Sequence, residues 1–122
     1  VERLGTVRAV VAGELSEPLL VLRDSVRPEL EWGLLGLAFS NDGNRAYIIE
    51  TDGFETRIHE FPVAIDGTFD EASGRIVYRF DQPADGHNGG DLLVGPDGFL
   101  DIFNGDGGGD RDDDEIGGAG NS

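Results

Sequence analysis

The sequence consists of short apolar segments separated by glycine turns, and this pattern limits what the chain can fold into. No window of ten or more residues has the apolar spacing of an amphipathic helix. The turns contain Asn-Asp-Gly, Asp-Gly and Pro-Asp-Gly, in which glycine supplies the positive φ that hairpin turns require. We therefore predict an all-β protein with strands at Thr6–Val11, Leu19–Leu22, Leu34–Phe39, Ala46–Glu50, Thr56–Val63, Arg75–Phe80, Leu92–Val94 and Phe99–Phe103.

A unit of strand, Asp-Gly turn and strand occurs twice. Residues 38–49 read AFSNDGNRAYII and residues 93–103 read LVGPDGFLDIF, so that Gly43 and Gly98 lie 55 positions apart. A repeat of about 50 residues is typical of a β-propeller blade, and an antiparallel meander with similar hairpins fits equally well. At about 45–50 residues per blade, this chain holds about two blades plus part of a third. A closed propeller has about 4–8 blades. A self-contained β-sandwich is the competing fold, because it leaves fewer open strand edges.

The charge balance excludes several classes of partner. Nine basic residues, all arginine, oppose 25 acidic ones, which gives a net charge of −16 at pH 7. Such a surface repels nucleic-acid phosphates and anionic lipid, and no segment reaches the ~20 apolar residues of a membrane span. We therefore predict no nucleic-acid partner and no membrane span. The same composition favours a halophilic protein, because concentrated salt screens a dense carboxylate surface; an ordinary acidic protein is the alternative.

Three segments contain residues that could carry chemistry. His87 lies between glycines in DGHNGG, residues 85–90, where an imidazole could act as a general base or be an exposed turn residue. Asp106 follows the strand Phe99–Phe103 and could orient that imidazole, or could only bind turn amides. His59 has charged neighbours and is interpreted as structural or solvated. There is no cysteine, which excludes disulfides and thiolate sites.

The glycine-rich end of the chain does not match a nucleotide-binding or calcium-binding motif. Residues 104–109 lack the Gly-Lys-Ser/Thr that completes a phosphate-binding loop. The run Asp110–Glu115 lacks the turn glycine and the final glutamate of an EF-hand. We interpret this run as a solvated acidic loop, with weak calcium binding as the alternative.

Three sequence blocks taken together resemble the glucose/sorbosone dehydrogenase family. These are soluble aldose dehydrogenases that use pyrroloquinoline quinone (PQQ) on a six-bladed β-propeller. The blocks are EWGLLGLAF at 31–39, HNGG at 87–90 with GPDGFL at 95–100, and GDGGG at 105–109. The resemblance covers nearly the whole chain and about the first third of such a protein. It implies a partial β-propeller domain over residues 1–122, with a Gly/Asp-rich loop and truncation point at 103–122.

The resemblance also implies a function and a set of site residues. His87 matches the catalytic base that takes the proton of the sugar's anomeric hydroxyl, Asp106 matches its supporting carboxylate, and Glu31 and His87 match positions facing the cofactor. The implied reaction oxidises an aldose to a lactone with PQQ and Ca²⁺, whose ligands lie mostly outside this chain, so the chain alone is expected to be inactive. An external electron acceptor and an extracytoplasmic location are also implied, and no metal ligand is assigned here.

The sequence departs from that family at Asp101, which puts a charge on a predicted inner strand that therefore needs a partner or solvent. A non-catalytic β-propeller module for binding or interaction is the alternative function.

Overall fold

The computed structural model describes residues 1–22, 26 and 29–107, and within them the fold is mostly β. The strands are β1 Thr6–Val7, β2 Val10–Val11, β3 Glu14–Leu15, β4 Leu20–Val21, β5 Gly33–Phe39, β6 Arg45–Thr51, β7 Glu55–Pro62, β8 Arg75–Asp81, β9 Gly89–Val94 and β10 Leu100–Asn104. One 3₁₀ turn, Glu71–Ser73, precedes β8. All strand pairs are antiparallel, and they form four separate sheets that do not close into a barrel or ring. The all-β prediction is confirmed at this level.

The central unit is a four-stranded meander in the order β5-β6-β7-β8. Alternation along β6 directs Ala46 and Ile48 to one face of the sheet and Tyr47 and Ile49 to the other. The first face carries the larger apolar cluster, which consists of Val7, Leu20, Leu34, Ala46, Ile48, Phe61 and Phe69. The second face packs against the β9–β10 hairpin through Ile49, Ile58 and Leu92. The meander therefore lies between the β1–β4 ribbon and the β9–β10 hairpin.

The two repeated turns have the same hydrogen-bonding pattern. Gly43 and Gly98 both have positive φ, +72° and +84°. The Gly43 amide donates to the carbonyl three residues earlier at 2.8 Å, and the Gly98 amide does the same at 2.9 Å. In each turn the preceding aspartate, Asp42 or Asp97, accepts an amide two residues further on. The predicted strand–turn–strand repeat is therefore a pair of equivalent hairpins, β5–β6 and β9–β10.

The main differences from the predicted strands lie near the N-terminus. The segment predicted as one strand, Thr6–Val11, forms two short strands in different sheets, because β1 pairs with β4 and β2 pairs with β3. Ala12 and Gly13 both have positive φ and make the β2–β3 turn. The strand β3 was not predicted, since its two residues, Glu14 and Leu15, are too few to show an apolar period.

One face of the β9–β10 hairpin is open to solvent. Leu93 and Phe103 on this face are 54% and 53% exposed. Asp101 pairs with Leu93 across the hairpin and is also exposed. The charge at Asp101 is therefore accommodated by water. The run Asp110–Glu115 and the rest of the glycine-rich loop from residue 108 lie outside the described residues.

Candidate catalytic site at the His87 loop

The connection between β8 and β9 folds against the segment that follows β10. The Ala84 amide donates to the Gly107 carbonyl at 2.9 Å, and the Gly107 amide donates back to the His87 carbonyl at 3.2 Å. A third bond joins the Gly105 amide to the Asn88 carbonyl at 3.2 Å. The two glycine-rich blocks of the sequence therefore form one connected layer of backbone.

His87 has a backbone conformation that is uncommon for a residue with a side chain. Its φ is +53°, in the left-handed region that favours glycine. Its Nδ1 lies 3.2 Å from Oδ1 of Asp106, and the two side chains are 53% and 39% exposed. Strained residues of this kind persist where surrounding contacts hold them, and they concentrate at functional sites.

The His87–Asp106 pair has the arrangement of a general base. A carboxylate beside Nδ1 favours the tautomer that carries its proton on Nδ1, which leaves the lone pair of Nε2 free to accept a proton. Within the described part of the chain, His87 Nε2 has no hydrogen-bond partner. Because the imidazole is half exposed, a hydroxyl group of a ligand can approach this nitrogen.

Glu31 contacts the same histidine from a distant part of the sequence. Its Oε2 accepts the His87 backbone amide at 2.6 Å, although the two residues are 56 positions apart. The three residues predicted as a site, Glu31, His87 and Asp106, therefore lie together, with His87 in the middle. Their chemical roles remain proposals.

Glycines allow the three sequence blocks to pack closely. A Cβ atom on Gly36, in the first block, would lie 2.7 Å from the carbonyl oxygen of Gly90 in the second. A Cβ on Gly105, in the third block, would collide with the carbonyl of His87. Gly90 itself has φ +128° and faces Leu35. A side chain at any of these three positions would push the blocks apart.

Two further side chains organise this end of the sheet, and the sequence analysis assigned neither a role. Trp32 donates from Nε1 to the Asp85 carbonyl at 2.7 Å. Gln82, which is only 6% exposed, donates from Nε2 to Thr56 Oγ1 at 2.7 Å and lies 3.1 Å from Asn104 Oδ1. Trp32 belongs to the first sequence block and is the one tryptophan of the chain, which could have drawn attention to it. Gln82 carries no signal in a single sequence.

The other histidine belongs to a different cluster. His59 lies on β7, with its Nε2 3.2 Å from Oε1 of the buried Glu50. Arg57 contacts the same oxygen at 3.0 Å and also pairs with Asp52 at 2.7 Å. The ring of His59 stacks on Phe61 at 6.1 Å. These contacts support the structural interpretation of His59.

The charges nearest His87 are acidic. Glu31 contacts its backbone, Asp106 contacts its ring, and Asp85 lies two positions before it in the same loop. Among the described residues no arginine hydrogen-bonds or ion-pairs with Glu31 or His87. The described part of the chain also contains no group of three or more His, Asp or Glu residues arranged for a metal ion. Within the described residues, this arrangement offers proton acceptors, and no arginine contacts Glu31 or His87 to bind an anion.

No protein-family model matches this chain. In residues 1–22, 26 and 29–107, no helix has the length and apolar character needed to cross a membrane.

Proposed function

We propose that this chain is the base-bearing part of a PQQ-dependent sugar dehydrogenase of the glucose/sorbosone type, which oxidises aldoses to lactones. The observation that carries the proposal is the His87–Asp106 pair, held at 3.2 Å in a glycine-rich loop with Nε2 of the imidazole open to a ligand. The contact between Glu31 and the same loop adds support, because it brings together the three residues that the sequence resemblance assigns to the site.

In this proposal the strands β5–β8 are one blade of a six-bladed propeller, and β9–β10 are the inner strands of the next. The equivalent turns at Gly43 and Gly98 support this, because successive blades repeat the same hairpin. The exposed Leu93 and Phe103 support it as well, since the inner strands of a blade are covered by the blade that follows.

The chemistry assigned to this chain is the movement of one proton. A sugar bound with its anomeric hydroxyl at His87 loses the hydroxyl proton to Nε2, and Asp106 stabilises the resulting imidazolium. As the C1–O bond becomes a carbonyl, the hydrogen on C1 leaves with its electron pair. Bound PQQ would supply the acceptor for that hydride, and an external electron acceptor would be needed to reoxidise it.

The described residues fit the proton-accepting half of such a site and do not by themselves hold the quinone. PQQ carries three carboxyl groups, and among the described residues no arginine contacts Glu31 or His87 to offset their charge. We therefore assign the cationic cofactor contacts and the Ca²⁺ ligands to parts of the protein outside the described residues. Glu31 is assigned to the edge of the cofactor site, through the loop that it contacts, and an extracytoplasmic location is part of the same proposal.

A non-catalytic propeller module that binds a partner is the second candidate. The solvent-exposed Asp101 favours it, because this charge on β10 has no part in the proposed oxidation.

The test is an assay of the full-length protein and of the 122-residue chain, each with PQQ, Ca²⁺, an aldose and a redox dye. We expect aldose-dependent dye reduction by the full-length protein only. Loss of dye reduction on removal of PQQ serves as the control. A full-length protein that binds sugar without reducing PQQ would support the binding module, and turnover by the 122-residue chain alone would contradict the assignment of the cofactor contacts.

A further inference from the structure

Two adjacent residues, Glu31 and Trp32, hold the loop that carries His87. Glu31 accepts the His87 amide at 2.6 Å, and the Trp32 indole donates to the Asp85 carbonyl at 2.7 Å. These two residues, immediately before β5, thus make hydrogen bonds to both ends of the segment Asp85–His87, which is more than 50 positions away in the sequence.

The Trp32 ring is itself held in place by the β6–β7 turn. Its indole lies against the backbone of Gly53, where any added Cβ would collide with Cε2, Cζ2 and Nε1 of the ring system. Phe54 packs against the same indole, with the ring centroids 5.9 Å apart. Gly53 has φ +91°, so the turn reaches this contact in a conformation that favours glycine. These contacts therefore fix the position of the indole N–H independently of its hydrogen bond to the Asp85 carbonyl.

His87 needs such an anchor, because its φ of +53° costs free energy that the surroundings must supply. From the β10 side, the Gly107 amide holds the His87 carbonyl. From the β5 side, the Glu31 carboxylate holds the His87 amide, while Trp32 fixes the loop two residues earlier. With both sides in place, the imidazole points to Asp106.

We propose that Trp32, together with Glu31, is a positioning residue that maintains the left-handed conformation of His87 and so keeps its Nδ1 on Asp106. Trp32 touches the loop backbone and does not touch the imidazole in the contacts of this structure, so it acts through His87. The catalytic meaning of this role rests on the proposed function. The positioning itself can be measured without sugar or cofactor.

The experiment compares wild type with Trp32→Phe, which keeps an aromatic ring over Gly53 and removes the N–H donor. Backbone amide exchange is followed by NMR on the 122-residue chain. We expect the His87 amide to exchange on the order of tenfold faster in the variant, which corresponds to the loss of one hydrogen bond. The amides of Ile48 and Ile58 in the core are expected to keep their wild-type rates. A uniform acceleration of loop and core amides would assign Trp32 to general stability and overturn the proposal.

A second readout reports directly on the imidazole. At alkaline pH the ¹⁵N shifts of His87 distinguish the Nδ1–H tautomer from the Nε2–H tautomer, and we expect wild type to favour Nδ1–H. Trp32→Phe is expected to move His87 toward the Nε2–H form while the tautomer of His59 is unchanged. A role of Trp32 in packing alone would not alter the tautomer, and wild-type shifts in a folded Trp32→Phe variant would overturn the proposal.

Two further variants complete the test. Phe99→Leu removes an exposed ring at the β9–β10 turn and leaves Trp32 and both hydrogen bonds to the loop in place, so the exchange rate of the His87 amide is expected to stay within a factor of two of wild type. Glu31→Ala, at an exposed position, removes the carboxylate that accepts the His87 amide and is expected to accelerate the exchange of that amide. If Trp32→Phe does not fold, Glu31→Ala decides the question. Wild-type exchange of the His87 amide in that variant would contradict the proposed positioning of His87 by Glu31 and Trp32. A failed dehydrogenase assay leaves these measurements unaffected.

Discussion

Two histidines in this protein lie 3.2 Å from a carboxylate oxygen, yet their surroundings differ in almost every other respect. His59 contacts Glu50 within the four-stranded sheet, where the two side chains are 12% and 0% exposed. His87 contacts Asp106 between a strained loop and a strand end, where they are 53% and 39% exposed. The first pair shares its carboxylate oxygen with Arg57, whereas the imidazole of the second keeps Nε2 open to a ligand.

The comparison shows that distance alone does not define a catalytic pair. Glu50 is fully buried and needs a counter-charge, which Arg57 provides, and His59 contacts the same carboxylate oxygen, so this cluster belongs to the folding of the sheet. Asp106 and His87 are exposed, so their pairing contributes little to stability, and the imidazole of His87 stays accessible to a ligand. Exposure and an open ring nitrogen, more than proximity, favour His87 as the functional histidine.

The largest expected effect separates the two histidines by activity. In the full-length protein, His87→Ala is expected to lower the rate of quinone reduction by about 10²–10⁴-fold, the usual contribution of a positioned general base. Sugar affinity is expected to change less, because His87 acts mainly on the proton being transferred. Rapid mixing under anaerobic conditions measures this step apart from reoxidation.

The matched control is His59→Ala, which is expected to reduce stability and leave the rate of quinone reduction near that of wild type. Asp106→Asn is expected to cause a smaller loss than His87→Ala in the same step, since the imidazole stays but its orientation weakens. Quinone reduction at the wild-type rate in His87→Ala would remove His87 from the mechanism and return it to the role of an exposed turn residue.

The second prediction separates the two pairs by stability. Arg57→Ala leaves the carboxylate of Glu50 buried without its main counter-charge, so we expect a loss of about 3 kcal/mol in the free energy of unfolding. Asp106→Asn, in the exposed pair, is expected to cost less than about 1 kcal/mol. Urea denaturation of both variants at neutral pH measures the difference. Equal losses would mean that the two environments differ less than their exposures indicate.

The sequence predicted the strands of the meander well, because their period and glycine turns are local features. It also brought together Glu31, His87 and Asp106, although only through a resemblance, since no local pattern relates residues 56 positions apart. The Glu50–Arg57–His59 cluster was not predicted. A single sequence does not show that Glu50 is buried, because this depends on the pairing that places Arg57 directly opposite it and His59 two positions further along β7. The hydrogen bond from Trp32 to the His87 loop was also not predicted, because its acceptor is a backbone carbonyl, which no residue type in the sequence identifies.

The third prediction concerns acid. Burial alone would raise the pKa of Asp52, but the amides of Glu55 and Phe54 and the Arg57 guanidinium hold it below its ordinary range. A carboxyl group with a lowered pKa in the folded state binds fewer protons than in the unfolded state, so it stabilises the protein above the unfolded pKa near 4. This contribution to stability is lost as the pH falls from about 5 through the lower pKa that Asp52 has in the folded state.

The measurement is the urea midpoint at several pH values between neutral and about pH 2. Asp52→Asn is expected to flatten the acid limb of that profile. Burial would likewise raise the pKa of Glu60, but the Arg75 and Arg45 guanidinium groups lower it, so this carboxyl adds to the same limb. Asp106→Glu, which keeps a carboxyl group in the exposed pair, serves as the control and is expected to retain the wild-type profile. An Asp52→Asn profile as steep as wild type would show that other carboxylates dominate acid unfolding.

The smallest expected effect is that of salt, and it tests whether the surface rather than the buried cluster is tuned to ionic strength. With a net charge of −16, mutual repulsion among exposed carboxylates opposes the folded state, and raising NaCl from about 0.1 M to 1 M shortens the Debye length from about 10 Å to about 3 Å. We expect the thermal midpoint to rise by a few degrees, about 1 kcal/mol. Because buried pairs are screened much less than exposed ones, the stability difference between wild type and Arg57→Ala should stay nearly constant over this range. A thermal midpoint that does not change with salt would contradict adaptation of the acidic surface. If the stability difference between wild type and Arg57→Ala disappears in molar salt, the cluster around Glu50 is accessible to ions.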